Sequence, residues 1–193
     1  MARPTKEQIR ELPLYLGLDM EHIHIVDTQE QAQLALVTLQ HEHSLGFDTE
    51  SKPIFRKGQV CPGPTLIQLA NATDAFLFPT RFAFAVDAAS QLLNNPNIKK
   101  VGFGLAGDKK ELSTKLDIHI QNIEDLAVTV KHLAGEKKPL GARASVAFVL
   151  KQRLGKGAQK SNWGTYPLSP TQIQYAANDA YCAICIENVI HTL

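Results

Sequence analysis

Asp48 and Glu50 have residue types and a spacing that could perform hydrolytic chemistry, and they follow the apolar run Leu45-Gly46-Phe47. In a β-strand, side chains at positions i and i+2 point to the same face, so both carboxylates would project together. Two carboxylates on one face repel each other unless a cation lies between them. The pair therefore indicates a divalent-cation site, although two solvated acids at an exposed strand end would give the same pattern.

Tyr175 and Asp179 form a second candidate pair, inside a segment predicted to be a helix from 170 to about 190. Residues at i and i+4 share a helix face, so the phenol and the carboxylate would lie one turn apart. The segment is apolar on two opposite stripes, which is typical of a buried helix. A buried aspartate requires a partner. The sequence leaves two partners open, a salt bridge or a metal ion shared with the first pair.

The third candidate is the segment from Gly102 to Asp108, which matches the pattern G-x-G-x-x-G between a predicted strand and a predicted helix. With Glu124 and Asp125 about 20 residues further on, it resembles a dinucleotide-binding fingerprint. The unit lies in mid-chain, however, and the downstream acids are expected at the start of a helix. We therefore favour a tight turn that directs Asp108 across the end of the sheet, and keep a nucleotide-cofactor enzyme as the alternative.

These candidates need strands and helices to position them, and hydrophobic periodicity predicts an α/β domain with a mixed sheet. The hairpin signal at 71–74 indicates antiparallel pairing of the strands on either side of it. The predicted strands are 22–26, 45–50, 65–70, 75–78 and 98–103. The predicted helices are 6–13, about 28–39, 82–93, 107–115, 122–133, 142–154 and 170–190.

Composition limits the classes of protein to consider. The 193 residues are 44% hydrophobic and 20% charged, as in one soluble globular domain. No apolar run approaches the roughly 18 residues of a membrane span, so no membrane association is expected. The start of the chain lacks the apolar stretch of a secretory signal. Three cysteines form no disulfide framework, so we expect a reducing, cytoplasmic location.

The net charge is only +1, so any phosphate contacts must come from local basic clusters. Each cluster taken singly fits a solvated surface, and becomes a candidate phosphate contact only beside chemistry that needs one. The clusters are Lys151, Arg153, Lys156 and Lys160; Lys52, Arg56 and Lys57; and Lys99, Lys100, Lys109 and Lys110.

Taken together, three segments resemble the motifs of the DEDDy branch of the DEDD exonuclease superfamily, the group that contains ribonuclease D and the exonuclease domain of the Werner protein. The segments are 46–50, 101–108 and 175–179. The sister branch has a histidine five residues before the last aspartate, where this chain has Gln174. The similarity extends from about residue 22 to about 190. Ser51 departs from relatives that carry an aromatic residue or proline there.

The resemblance implies a ribonuclease-H-like fold with a mixed five-stranded sheet flanked by helices, in one domain at 22–193 after an N-terminal extension at 1–21. It implies a 3′–5′ exonuclease in which two Mg²⁺ or Mn²⁺ ions are held by Asp48, Glu50, Asp108 and Asp179, while Tyr175 orients the attacking water. The expected partner is the 3′ end of DNA or RNA. A catalytically inactive nucleic-acid-binding module is the other alternative, and the presence of all five residues argues against it. The candidate nucleic-acid contacts are Lys52, Phe103, Lys151, Arg153, Lys156 and Lys160.

Overall fold

The computed structural model describes residues 3–53, 62–155 and 157–192, and within them the chain forms one mixed sheet flanked by helices. The strands are β1 (Ile23–Ile25), β2 (Ser44–Ser51), β3 (Pro64–Ala70), β4 (Ala75–Pro79), β5 (Lys99–Gly102) and β6 (Ile123–Asp125). The helices are α1 (Lys6–Glu11), α2 (Gln29–Leu39), α3 (Ala83–Asn94), α4 (Ala106–Leu116), α5 (Leu126–Leu133), α6 (Ala142–Ser145) and α7 (Pro170–Ile190). None of the helices in these ranges combines the length and hydropathy needed to cross a bilayer.

The sheet has the order β1-β4-β3-β2-β5-β6, which places β2 in the interior of the sheet. β2 is antiparallel to β3 and parallel to β5. Leu45 and Phe47 are fully buried in the core cluster that contains residues of α2 and α3. Side chains alternate between the faces of a strand, so Gly46, Asp48 and Glu50 face the other side, where α7 packs. The candidate carboxylates of β2 are thereby directed at the helix that carries the second candidate pair.

The expected count of five strands is wrong, because β6 adds a sixth at the edge of the sheet. The sequence predicts a helix over 122–133, but Ile123 to Asp125 pair in parallel with Lys100 to Gly102. Asp125 then caps α5, because its side chain accepts a hydrogen bond from the backbone N–H of Ala127. Three residues are too few for a strand periodicity to emerge, and the helix begins directly after them, so the two elements read as one.

The predicted helix over 142–154 is also shorter than expected. α6 continues into a single π-helical turn over Val146–Leu150, which ends at Lys151 in the left-handed conformation with φ 56°. Arg153 then pairs with the N-terminal segment through its backbone, donating to Pro13 O at 2.8 Å and accepting from Tyr15 N at 3.0 Å. Tyr15 is buried against residues of α7, so the N-terminal segment packs onto the domain.

Lys100 does not lie on a solvated surface as its basic cluster suggests. Its side chain is fully buried, and Nζ donates to the carbonyl oxygens of Asn95 and Ile98, each at 2.7 Å. Burial lowers the pKa of Lys100 to about 8. A lysine in the interior of β5 that ties down the preceding turn has a structural role and is inaccessible to a nucleic acid.

Candidate active site

Three carboxylates from two elements meet at the face where β2 packs against α7. One oxygen from each of Asp48, Glu50 and Asp179 lies within 4.8 Å of the others. The close approach of helix and strand depends on Gly46, because a Cβ there would lie 2.0 Å from the carbonyl oxygen of Ala180. The motif glycine therefore allows the backbone of α7 to approach β2, and this approach brings the carboxylates together.

The position of α7 is fixed at its first turn by a capping box, as the sequence predicts. Ser169 Oγ accepts from Gln172 N at 3.3 Å, and Gln172 Oε1 accepts from Ser169 N at 3.0 Å. The amide of Gln172 also donates to Ser161 Oγ at 3.1 Å, which holds the preceding loop against the helix. Such caps satisfy N–H groups that a helix leaves unpaired. Tyr175 and Asp179 follow one and two turns later on the face toward the carboxylate cluster.

Asp108 lies beside the cluster rather than among the three close carboxylates. It is in the first turn of α4 and accepts a short hydrogen bond from Thr49 Oγ1, on the residue between Asp48 and Glu50. Its negative charge raises the pKa of both of these neighbours. The turn after β5 therefore places Asp108 at the edge of the site, which is the interpretation that the sequence favoured.

The backbone of the glycine turn already forms a hydrogen bond with another part of the protein. Gly104 has a φ of 72°, which favours glycine, and its N–H donates to Asp125 Oδ1 at 2.9 Å. The expectation that Glu124 and Asp125 begin a helix is wrong, since they end a strand parallel to β5. The dinucleotide alternative nevertheless loses support, because the carboxylate of Asp125 occupies a turn amide that a pyrophosphate would need.

The electrostatics of the cluster favour a bound cation. Burial, and then the charges of Asp179, Asp108 and Glu50, raise the pKa of Asp48 well above its usual range. Burial and the same aspartates raise the pKa of Glu50 to about 8. Burial raises the pKa of Asp179 to about 6, against the opposing effects of Tyr175 and Arg143.

None of the ion pairs in the described ranges includes any of the four carboxylates. An all-oxygen donor set suits hard divalent cations. These residues therefore fit a divalent metal ion.

Tyr175 is half-buried beside Asp179, with which its hydroxyl interacts. Burial, followed by the charge of Asp179, raises the pKa of this phenol above its ordinary value. Its ring centroid lies 6.0 Å from that of buried Trp163, which packs beneath the helix. The hydroxyl is therefore protonated at neutral pH and can donate a hydrogen bond into the site.

A cavity of about 590 Å³ opens over the carboxylates, and two of its polar lining residues were missed by the sequence analysis. Arg143 and Gln159 come from segments that the sequence places far from the three motifs. Arg143 lies in the short helix α6 and Gln159 in the turn before Trp163, and neither belongs to a recognisable pattern. Only the tertiary fold brings them to the site.

The proposed nucleic-acid contacts occupy different surroundings. Lys52 is exposed just after β2, and its Cδ lies beside Gly164. Phe103 is half-buried and packs against a core cluster. Lys160 is exposed in a turn. Lys156, like Arg56 and Lys57, lies outside the described residues. These assignments stay predictions.

Lys151 and Arg153 interact with the protein itself. Lys151 Nζ donates to Phe148 O at 2.5 Å and lies 5.2 Å from the ring centroid of the same residue. Arg153 Nε donates to Leu12 O at 3.0 Å. Both side chains therefore contribute to packing around the π-helical turn and the N-terminal segment, whatever their contact with a substrate.

Comparison with known proteins identifies relatives of the whole domain. The family model described as 3′–5′ exonuclease matches residues 23–192. A 3′–5′ exonuclease of Arabidopsis thaliana is 31% identical over 179 residues, covering 90% of this chain and 59% of the relative. The bifunctional 3′–5′ exonuclease/ATP-dependent helicase WRN of Mus musculus is 30% identical over 156 residues, covering 74% of this chain and 10% of the relative.

Among solved structures, the EXO domain of Aedes aegypti Nibbler superposes with a TM-score of 0.79 and 25% sequence identity. The superposition covers 91% of this chain and 89% of that domain. The chain thus spans about three-fifths of the plant relative and a tenth of the mouse one. On its sequence and its fold, the chain belongs to the 3′–5′ exonuclease domain family.

Proposed function

We propose that this domain hydrolyses the terminal phosphodiester bond at the 3′ end of a nucleic acid, using bound divalent metal ions. The observation that carries the proposal is the group of three carboxylates whose oxygens lie within 4.8 Å of one another, in a chain of the exonuclease family. Carboxylates held this close together, with no ion pair to a basic side chain among the described residues, are unfavourable in the free protein, and divalent cations relieve their repulsion.

The ions are Mg²⁺ or Mn²⁺, and two are used. Asp48, Glu50 and Asp179 would hold one of them, and Asp108 would contribute to holding the other. Bound divalent ions lower the pKa of water and stabilise negative charge on the leaving oxygen. Thr49 orients Asp108 through its hydrogen bond, and the cavity next to Tyr175 receives the terminal nucleotide.

Tyr175 acts as a hydrogen-bond donor that positions the attacking water. Because its pKa is raised, it is a poor general base at neutral pH. Its hydroxyl is placed next to Asp179, and the tilted packing of its ring on Trp163 restricts its orientation. The base that receives the proton of the water is therefore a carboxylate of the cluster or solvent.

Replacing Tyr175 with phenylalanine should lower kcat by about 100-fold, the typical contribution of a positioned catalytic group. Metal binding should persist, because the carboxylates are untouched. The measurement is kcat on a labelled oligonucleotide together with the metal-induced rise in melting temperature. Tyr166→Phe, which removes a hydroxyl that donates to Asp27, is the matched control. Near-full activity of the Tyr175 variant would rule out the positioning role.

The proposed reaction is tested by incubating oligo(dT), oligo(U) and a DNA duplex, each labelled at the 5′ end, with Mg²⁺, Mn²⁺ or EDTA. A ladder of products that shorten from the 3′ end, present with metal and absent with EDTA, is the expected result. The substrate that is degraded fastest then identifies DNA or RNA. Binding without cleavage of every substrate would contradict the proposal and indicate an inactive binding module.

Metal should stabilise the fold more at high pH than at low pH. The folded-state pKa values of the carboxylates are raised, to about 8 for Glu50 and about 6 for Asp179. The stability that their protonation contributes is fully present below their unfolded pKa values near 4 and is lost as pH rises through these folded values. Metal ions bind the deprotonated carboxylates and therefore offset the loss of folding stability at high pH. The rise in melting temperature caused by Mn²⁺ should therefore be several-fold larger at about pH 8 than at about pH 5.

Calorimetric unfolding with Mn²⁺ and with EDTA across this pH range checks the prediction. In EDTA, the melting temperature should fall as pH rises from about 5 to about 8. A metal effect that is equal at both ends of the range would show that the carboxylate cluster is not the metal site.

A further inference from the structure

Arg143 is the one basic side chain that lines the carboxylate cavity, within the part of the chain that the structure describes. It is half-exposed and lies on the short helix α6, which forms part of the cavity lining. Its positive charge acts at the site, because it opposes the rise in the pKa of Asp179 and of Tyr175 that burial causes. A cation that faces an acidic site without pairing with it is available to a negatively charged ligand.

The bonding of the guanidinium supports that availability. Arg143 Nη2 donates to Gln159 Oε1 at 2.9 Å, and the guanidinium forms no ion pair within the described ranges. A guanidinium has five N–H donors in one plane, so most of them are left for solvent or a ligand. Gln159 also lines the cavity, and it fixes the orientation of the arginine without neutralising its charge.

The turn that carries Gln159 is itself anchored to the helix of the site. The side-chain amide of Gln172 on α7 donates to Ser161 Oγ at 3.1 Å and to Asn162 O at 3.4 Å. Arg143 is thereby connected through Gln159 to the same helix that carries Asp179. The position of Arg143 relative to the carboxylates is therefore supported by its bond to Gln159 and by the anchoring of the turn, two residues further on, to α7.

We propose that Arg143 binds the non-bridging oxygens of the phosphate that is cleaved, and that Gln159 is the positioning residue for it. The inference rests on the proposed exonuclease function. A phosphodiester carries a negative charge and gains more in the transition state, so it needs positive groups on the side away from the metal-binding carboxylates. The planar donors of arginine match phosphate oxygens in two-point hydrogen bonds, which a lysine cannot reproduce.

Arg143→Ala should lower kcat/KM by about 100-fold, the effect of removing one preorganised donor from a developing negative charge. Arg143→Lys should recover only part of this loss, because it restores charge without the planar donors. Guanidinium ion added at non-denaturing concentrations should raise the activity of the alanine variant and leave that of the lysine variant unchanged. Gln159→Ala should show a smaller loss of about 10-fold, since the guanidinium remains but is less well oriented.

Two further readouts do not depend on turnover. The rise in melting temperature caused by Mn²⁺ should persist in Arg143→Ala, because the removed charge repels metal ions. Binding of fluorescent oligo(dT) and oligo(U), measured by anisotropy in Ca²⁺, should weaken by about 10-fold. Arg10→Ala makes the same change in charge at an exposed position of α1 and should match the wild type in both assays.

Outcomes for Arg143 and for the exonuclease function can be separated. If the wild type is active while Arg143→Ala stays within twofold of it, the inference on Arg143 is wrong and the function stands. If Gln159→Ala loses as much as Arg143→Ala and guanidinium restores neither, Arg143 has only a structural role. If the wild type cleaves nothing, the proposed function fails, and unchanged oligonucleotide binding by Arg143→Ala would then overturn the phosphate contact as well.

Discussion

Asp48→Asn is expected to abolish cleavage and, at the same time, to make the metal-free protein more stable at about pH 8. Both effects follow from the position of Asp48, which is half-buried on β2 with a carboxylate oxygen within 4.8 Å of oxygens of Glu50 and Asp179. Its replacement by a neutral amide of the same shape removes a carboxylate from the proposed metal site. The loss of several kcal/mol of charge stabilisation corresponds to a fall in kcat of about 1,000-fold or more.

The gain in the stability of the metal-free protein comes from removing a negative charge that opposes folding. The folded-state pKa of Asp48 is raised by burial and by neighbouring carboxylates, so its ionisation opposes folding as pH rises. Removing this ionisable group should therefore raise the free energy of unfolding at about pH 8. For a domain of this size, each 1 kcal/mol gained corresponds to a rise of about 2–4 °C in the melting temperature. The gain should vanish at about pH 3 and below, where the wild-type carboxyl group is almost fully protonated in both the folded and the unfolded state.

Thermal unfolding in EDTA at both pH values, combined with the oligonucleotide assay in Mn²⁺, measures the two effects together. Asp87→Asn is the matched control, since it makes the same substitution at an exposed position of α3 and should change neither. A variant that is inactive but less stable than the wild type at about pH 8 would contradict the electrostatic account of the cluster.

The catalytic candidates could be predicted from the sequence because each pair is local. Asp48 and Glu50 share a face through the two-residue period of a strand, and Tyr175 and Asp179 share one through the turn of a helix. The period alone does not say that the two pairs meet. That contact depends on the packing of α7 across β2. The residues left a salt bridge and a shared metal ion open, and the resemblance to a family favoured the shared ion.

Residues whose role depends on contacts between distant segments could not be predicted. Arg143 lies between alanines and reads as a solvated arginine, yet folding places it over the carboxylates. Lys100 reads as part of a surface cluster, yet its ammonium group is buried against two carbonyl oxygens. Arginine and lysine are both common on ordinary surfaces, so the residue type does not reveal either role. The role of each residue depends on the groups that the fold brings into contact with it.

The sixth strand shows the same limit for secondary structure. β6 exists because β5 offers a free edge, so its three residues are recruited by pairing rather than by their own propensity. Asp125 then serves as the cap of α5 and as the acceptor for Gly104. From the sequence pattern alone, Asp125 could equally be the acidic residue of a dinucleotide-binding fingerprint. The hydrogen bond that it accepts from the glycine turn distinguishes the two roles.

Gly46→Ala is expected to damage both the fold and the site through one added methyl group. A Cβ at this position would lie 2.0 Å from the carbonyl oxygen of Ala180 and 2.9 Å from its carbonyl carbon. These are backbone atoms of α7, so the helix itself must move. Overpacking of this kind typically costs about 1–3 kcal/mol, and the upper end is expected here because no flexible side chain can yield.

The displacement of α7 should also separate Asp179 from Asp48 and Glu50, since the contact lies between the elements that carry them. We therefore expect Gly46→Ala to lose Mn²⁺-induced stabilisation and to lower kcat by about 100-fold, the effect of a misplacement of about 1 Å. Gly107→Ala is the control, because an added Cβ there meets nothing within 4 Å, and Gly107 lies inside α4, where alanine is favoured. The contradicting outcome is a Gly46→Ala protein whose melting temperature falls while its Mn²⁺-induced stabilisation is kept. It would show that α7 can shift without moving the carboxylate of Asp179, and that the metal site does not depend on the close approach of Gly46 to Ala180.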